Sequence, residues 1–234
     1  MLAADVLRLV SGALQDLEPG MEKRWPWEGE DEPERVTLMH FLNSAIRAVC
    51  LQRPDVTAIT EAIQLEVGMR QGIPTKRKHG ATHDAAEFIG LVRNMGRDGE
   101  TPGSAIVSAQ PDILLAWSDM GHKGQRIDNF AYDRFTNRLV YYVYPAVPDN
   151  CPVFVEATYS IDPAEVKRAK GIIPLPDSYA QALKHHILSE ILLGDNESSN
   201  AAKGTQHYQM FNSLLGVKAK IDTFMPKAKS TGAS

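Results

Sequence analysis

The sequence has 234 residues, of which 43% are hydrophobic and 23% are charged, and its formal net charge is −4. This composition is ordinary for a soluble globular protein, and the length suits one domain or a core that carries a sizeable insertion. The charge excludes a general attraction to nucleic acid or anionic membrane, and no apolar run approaches the roughly 20 residues of a membrane-spanning helix.

Two helices are predicted at the start of the chain. Apolar residues recur at helical spacing over Leu2–Leu17 and again over Pro33–Leu51. Pro19-Gly20 is expected to end the first helix, and Pro54 marks the end of the second, in which Pro33 suits the first turn. Because the start lacks a basic segment and an unbroken apolar stretch, it predicts an amphipathic helix and not a signal peptide.

A strongly acidic loop separates the two predicted helices. Residues 16–34 carry eight acidic side chains against Lys23 and Arg24, a net charge of −6. Such a run is usually a solvated loop, and the alternative is a repulsive or partner-facing surface. Trp25 and Trp27 favour the second interpretation, because tryptophan is enriched at interfaces. We therefore predict that both tryptophans are interface residues.

The periodicity changes between Thr57 and Ser160, where alternating residues predict an antiparallel β-rich region. Ile127–Tyr132 and Leu139–Tyr144 flank Asp133–Asn137, a pattern that indicates a hairpin. The other predicted elements are strands within Thr57–Val67, at Leu91–Met95 and at Val153–Tyr159, and a short helix near Ile106–Trp117. In the last strand, the predicted inward residues are Val153, Val155, Ala157 and Tyr159, and the predicted outward residues are Glu156, Thr158 and Ser160.

Helical spacing returns in Tyr179–Leu193 and in Glu197–Ala219, on either side of Gly194-Asp195-Asn196. The predicted fold class is therefore α+β, a helical bundle built from N- and C-terminal helices with an antiparallel β-rich insertion between them. The predicted parts are residues 1–56 and 163–219 for the helical core, 57–162 for the insertion and 220–234 for a flexible C-terminal arm.

The segment Lys76–Glu87 is the sharpest candidate for chemistry. His79 and His83 stand four residues apart, as metal-binding histidines on one helix face do, and Asp84 and Glu87 follow closely. The glutamate is misplaced for a zinc-protease motif, a glycine between the histidines weakens the helix, and the preceding basic residues oppose a cation. These features favour an exposed polar loop, and a metal-dependent enzyme using His79 and His83 is the alternative.

Other catalytic and cofactor-binding patterns are missing from the sequence. It contains no nucleophile elbow, phosphate-binding loop or dinucleotide-binding fingerprint. Cys50 lies in an apolar helix without a nearby base, and we expect Cys50 and Cys151 to be reduced thiols. His185 and His186 point about 100° apart on a helix, so they cannot share one site, and we expect a helix surface there. The sequence predicts neither an enzyme nor a cofactor.

Short segments in a particular order carry a family resemblance. In the first two thirds of the chain they are Arg24-Trp25, Leu42–Ala45, Arg53-Pro54-Asp55, Leu65–Pro74, Val92–Gly96, Tyr132-Asp133, Tyr142–Pro148 and Glu156–Ser160. In the last third they are Leu175–Tyr179, Asp195–Asn200 and His207–Phe211. Their order and spacing, from about Val6 to Pro226, resemble those of the head-to-tail connector, or portal adaptor, proteins of tailed bacteriophages. The segment Thr75–Glu87 departs from the family pattern in its charge and histidine content.

The resemblance implies a structural virion protein without catalysis, assembled in the host cytoplasm. It implies a homo-oligomeric ring, commonly of about twelve subunits, that docks under the portal protein, binds a downstream tail or nozzle protein and lets double-stranded DNA pass. A tail-completion or tail-terminator ring protein is the alternative within the virion.

In similar adaptors, C-terminal segments reach into the portal. Residues 218–234 carry a net charge of +3 and lack the aromatic interleaving of single-strand binders. The predicted portal-contact residues are Lys218, Lys220, Phe224, Met225, Pro226, Lys227 and Lys229.

Overall fold

A computed structural model of the chain describes residues 1–14, 25–28, 36–118, 121–194 and 198–216. Its helices are α1 (Ala3–Ala13), α2 (Leu38–Gln52), α3 (Lys76–His79), α4 (Pro111–Ser118), α5 (Ala180–Leu193) and α6 (Ser198–Leu214). Its strands are β1 (Ala58–Gln64), β2 (Gly68–Gly72), β3 (Ala85–Met95), β4 (Pro102–Ala105), β5 (Val107–Ser108), β6 (Asn129–Ala131), β7 (Val140–Val147) and β8 (Phe154–Ile161). Within the described residues, no helix is both long and apolar enough to cross a membrane.

The described chain divides into two compact units. Residues from 1–53 and from 163 onward form a helical unit, and residues 54–162 form a β unit. The helical unit contains α1, α2, α5 and α6, and the β unit contains all eight strands. The predicted fold class, helical ends with a β-rich insertion between them, is confirmed.

The helical unit is built around α5. This helix contacts α1, α2 and α6, and it buries Leu183, Ile187, Leu188 and Ile191. These four residues belong to the apolar face that the helical spacing predicted. The buried apolar residues of α1, α2 and α6 are Ala3, Val6, Leu7, Val10, Leu38, Met39, Leu42, Ala45, Ile46, Val49 and Phe211.

The predicted start of the second helix is wrong. The helix begins at Leu38 and not at Pro33, since Thr37 is still extended with φ −112° and ψ 164°. The first free amides of α2 are satisfied by the segment before it, because Leu38 donates to the Pro26 carbonyl at 2.9 Å and the next amide donates to the Trp27 carbonyl at 3.2 Å. A folded-back segment therefore sets this helix start.

The predicted ends of the outer helices also differ from the structure. α1 ends at Ala13, and residues 15–17 of the predicted helix lie outside the described residues. α6 ends at Leu214 and not at Ala219, because Gly216 adopts the left-handed conformation at φ +66°. A left-handed glycine after the last helical turn is a common helix stop.

Two four-stranded sheets make up the β unit. Their strand orders are β1-β8-β3-β4 and β2-β7-β6-β5. Pairing is antiparallel throughout the first sheet, whereas β5 and β6 pair in parallel in the second, which the prediction of a wholly antiparallel unit missed. One apolar core contains side chains of both sheets, and within it Phe88 of β3 stacks on Tyr141 of β7 with ring centroids 4.0 Å apart.

The predicted hairpin and last strand are present with small changes. β6 and β7 pair antiparallel around the predicted turn. In β8 the predicted inward residues Val155, Ala157 and Tyr159 are fully buried. Ser160 is buried as well, contrary to prediction, because β8 lies between β1 and β3 and Ser160 pairs with buried Glu87.

The predicted short helix starts later than expected. α4 begins at Pro111, and β5 occupies Val107–Ser108 within the predicted range. The fixed φ of proline suits a first helical turn, and pairing with β6 holds the preceding residues extended.

Asn94 joins β3 to the loop before β6. Its Oδ1 accepts a hydrogen bond from the Ile127 amide at 2.7 Å, and its Nδ2 donates to the Ile127 carbonyl at 2.7 Å and to the Ser104 carbonyl at 3.1 Å. The Asn94 side chain is buried, so water cannot replace it as the hydrogen-bond partner of these backbone groups.

The variant Asn94→Ala should lower the free energy of unfolding by about 2–3 kcal/mol, because it leaves buried backbone groups without partners. Urea denaturation followed by circular dichroism measures the change. Asn129→Ala is the matched control, since the Asn129 side chain makes only an exposed 3.4 Å contact with a carbonyl. An Asn94→Ala protein as stable as the control would contradict this role.

Candidate assembly surfaces

Trp25 and Trp27 are half-buried against the first two helices. The Trp25 ring meets Phe41 edge-on, with centroids 5.7 Å apart. The Trp27 indole N–H donates to Ser11 Oγ at 2.8 Å. Both rings are therefore held in place while part of their surface stays exposed. The interface role of the two tryptophans stays a prediction, and the structure adds a part in packing the helical unit.

The remaining predicted contact residues lie outside the described residues. These are Lys218, Lys220, Phe224, Met225, Pro226, Lys227 and Lys229. Of the acidic run over residues 16–34, the structure describes only 25–28. Within that piece, Glu28 Oε1 accepts a hydrogen bond from the Ala169 amide.

The candidate metal segment folds around the short helix α3. Thr75 Oγ1 accepts a hydrogen bond from the Lys78 amide at 3.3 Å, and Gly80 ends the helix at φ +67°. His79 is buried, and its Nδ1 accepts from the Thr75 amide at 3.1 Å. Burial lowers the pKa of His79, Glu66 opposes that change, and the Lys78 ammonium adds to it. This histidine is therefore part of the turn's own hydrogen bonding.

The other three metal candidates face separate partners. Asp84 Oδ1 accepts a hydrogen bond from the first amide of α3 at 2.9 Å, and His83 Nδ1 lies 3.0 Å from Thr82 Oγ1. Glu87 points into the β unit. Among the residues that the structure describes, no three His, Cys, Asp or Glu side chains are grouped as metal ligands. The expectation of an exposed loop is wrong for His79 and Glu87, because both are buried.

Glu87 is a buried acid that forms ion pairs with two arginines. Its side chain is only 6% exposed, and its carboxylate lies 3.2 Å from Arg134 Nε and 3.4 Å from an Arg138 terminal nitrogen. Both arginines belong to residues 133–139, the hairpin tip between β6 and β7. Charge pairing across the β unit thus fixes the hairpin tip on the start of β3.

The hairpin tip presents an apolar surface on a rigid turn. Phe135 is 91% exposed, and the Arg134 guanidinium lies 5.7 Å from the centroid of its ring. Asp133 accepts hydrogen bonds from the Phe135 amide at 2.9 Å and from the Thr136 hydroxyl. Leu139 is 64% exposed at the end of the same turn. The only hint of this surface in the sequence is an aromatic residue inside a predicted polar turn.

The two adjacent histidines of α5 have different surroundings. His185 Nδ1 lies 2.8 Å from Nδ1 of His207 on α6, and the centroids of the two rings are 5.0 Å apart. His186 is buried against Phe211, contrary to the expected surface position. Burial lowers the pKa of both His185 and His207, and the neighbouring Lys184 ammonium acts in the same direction. At neutral pH one ring of the pair can donate to the other.

The described residues that favour contact with other proteins are the exposed Phe135 and the half-buried Trp25 and Trp27. Exposed aromatic and arginine side chains on pre-organised turns are typical of protein interfaces. A family model described as SU10 adaptor protein matches residues 1–231. The chain therefore belongs to the SU10 adaptor protein family, a family of bacteriophage head-to-tail adaptors, and the resemblance seen in the sequence is confirmed. A search of curated proteins finds no match to the chain.

The histidine pair predicts that the protein loses stability in mild acid. The pKa values of His185 and His207 are lower in the folded than in the unfolded state, so protonation of these histidines favours unfolding. The folded state therefore has its full stability above about pH 6.5, and it loses part of that stability as the pH falls. Thermal melts should therefore show a lower Tm at pH 5.5 than at pH 7.5. His79 acts in the same direction.

The variant His207→Gln should reduce this difference in Tm, because it removes one charge of the α5–α6 pair. His122→Gln, at an exposed histidine of the β unit, is the control and should keep the difference seen in the unchanged protein. If His207→Gln and the control respond equally to pH, the pair does not carry the acid sensitivity.

Proposed function

We propose that this chain is a structural, non-enzymatic adaptor that forms a ring beneath the portal and joins the capsid to the tail. The single observation that carries the proposal is the match of the SU10 adaptor protein family to residues 1–231. An adaptor of this kind is a component of the virion. In this proposal the ring has about twelve copies, binds a tail or nozzle protein below and assembles in the host cytoplasm.

Ring formation requires two different surfaces on each subunit that fit each other, because a head-to-tail contact closes into a ring when its rotation permits. The described chain offers candidates in both units. The helical unit exposes Leu193, Tyr208, Met210 and Leu214, and the β unit exposes Phe135 and Leu139. Apolar side chains outside a core are favoured positions for subunit contacts.

In this proposal the C-terminal arm, residues 220–234, is the part that binds the portal. α6 ends at Leu214, so the arm starts beyond the last described helix. Residues 218–234 carry a net charge of +3 in a chain whose net charge is −4. Opposite charge on the portal surface would speed docking and strengthen it at low salt.

The passage of DNA constrains the ring lumen. A lysine-rich lining would grip phosphates in a salt-dependent way, so acidic or neutral residues are expected to face the channel. We place the acidic run of residues 16–34 nearer the channel than the basic residues of α3. Lys76 and Arg77 are exposed, and Lys78 Nζ is paired with Glu66 at 3.0 Å.

Truncation tests the portal contact. A chain ending at Ala219 should bind purified portal at least about tenfold more weakly than the full chain, because it loses every predicted apolar and basic contact residue except Lys218. Its Tm should not change, since the described helices all end before residue 216. Sedimentation with portal rings measures the binding.

The matched control for this truncation ends at Lys229. It removes only Ser230–Ser234 and keeps every predicted contact residue, so it should bind like the full chain. Equal binding by the chain ending at Ala219 would remove the role of the arm. If the full chain itself does not bind the portal, the adaptor proposal fails as well.

A further inference from the structure

The two ends of strand β3 carry surfaces of opposite shape. β3 runs over 11 residues, which spans about 35 Å at about 3.3 Å a residue. Its first end lies beside the hairpin tip, because Glu87 binds Arg134 and Arg138. Its last end lies beside β4 and the start of β8, since Met95 pairs with Pro102 and with Phe154.

The first end is a projecting knob. Phe135 extends from the hairpin tip with 91% of its surface exposed. The turn beneath it is tied by Asp133, whose carbonyl accepts from the Asn137 amide at 3.0 Å and whose carboxylate accepts from the Phe135 amide. A turn whose backbone is already tied by hydrogen bonds loses less conformational entropy when it binds than a free loop would.

The last end holds a cavity of about 380 Å³. Its apolar wall is formed by Met95, Pro152, Val153 and Phe154, and its polar wall includes Arg97 and Arg126. The Arg97 guanidinium donates to Gln125 Oε1 at 3.1 Å, which keeps it at the rim. A cavity of this size accepts a phenyl ring with room for its neighbours in the turn.

We propose that the Phe135 knob of one copy of this chain inserts into this cavity of the next copy. The apolar wall would cover the phenyl ring, and the Asp133 carboxylate beside it would meet Arg97, whereas Arg126 is already paired with Asp128 at 3.0 Å. Repulsion from the knob's own arginines is reduced, because the two positive charges of Arg134 and Arg138 are offset by the carboxylates of Glu87 and Asp133. The inference rests on the proposed ring and names one lateral contact within it.

The position of the two surfaces suits a ring. The knob and the cavity are different surfaces at opposite ends of one folded unit, so each copy can bind one neighbour with each end. Such a heterologous contact repeats from subunit to subunit and closes when the rotation permits. A self-complementary dimer is not the expected product.

A native cysteine makes the contact directly testable. Cys151 is half-exposed and directly precedes Pro152 in the cavity wall. In a Cys50→Ser background, Thr136→Cys, which keeps Phe135, should form a disulfide with Cys151 of the next copy, because the two residues come within bonding reach only when the knob is inserted. Rings assembled on purified portal are oxidised and examined on non-reducing gels.

The expected result is a ladder of covalent species that extends beyond the dimer. The ladder should disappear when Cys151→Ser is added, and Gln209→Cys on the exposed side of α6 should not produce it. Rings that form without a ladder, or that give only dimers, would overturn the knob-and-cavity contact while leaving the adaptor ring intact. If no ring forms even with the unchanged chain, the adaptor ring itself is wrong.

Substitution of the Phe135 side chain provides a second readout. Phe135→Ala should raise the concentration needed for ring assembly at least about tenfold, as expected for a central aromatic contact. Phe135→Tyr keeps an aromatic side chain and should need a far lower concentration for ring assembly than Phe135→Ala. Because Phe135 is exposed, neither variant should change the Tm of the free chain. Unchanged assembly of Phe135→Ala would overturn the inference.

Discussion

The stacking of Phe88 on Tyr141 holds the β unit together. The two rings are nearly parallel, at 3°, and they join β3 of one sheet to β7 of the other inside a shared apolar core. Offset or parallel aromatic pairs of this kind add to the free energy already gained from burial. The stack joins the sheet whose strand β3 ends beside the cavity to the sheet whose β6–β7 hairpin carries the exposed phenylalanine.

The helical unit has its own apolar core around α5. Local features satisfy the free backbone amides of its helices and end the helices. Carbonyls of Pro26 and Trp27 take the first amides of α2, and Gly216 ends α6.

Elements with a strong local pattern were predictable from the sequence. The spacing of Leu183, Ile187 and Ile191 predicted α5, and the alternation around Ala157 predicted β8, because one buried face dominates each element. Features set by distant residues were not predictable. The start of α2 depends on a segment that folds back onto it, and the pairing of His185 with a histidine on another helix has no local signal.

The candidate surfaces also divide into features with a local sequence pattern and features set by distant residues. The sequence identified the hairpin turn itself but not the exposure of its phenylalanine, which depends on how Glu87 anchors the neighbouring arginines. The cavity was invisible because it is assembled from four separate segments, around Met95, Gly103, Gln125 and Val153. The portal-contact residues of the arm lie outside the described residues and stay predictions that came from the family resemblance.

Imaging of the whole virion tests the central claim most directly. The subunit, tagged at an exposed position such as Gln209, is located by electron microscopy relative to the portal. The adaptor account predicts a ring of label directly beneath the portal, between the capsid and the tail. Label away from the portal, or no ring at the portal, would contradict it.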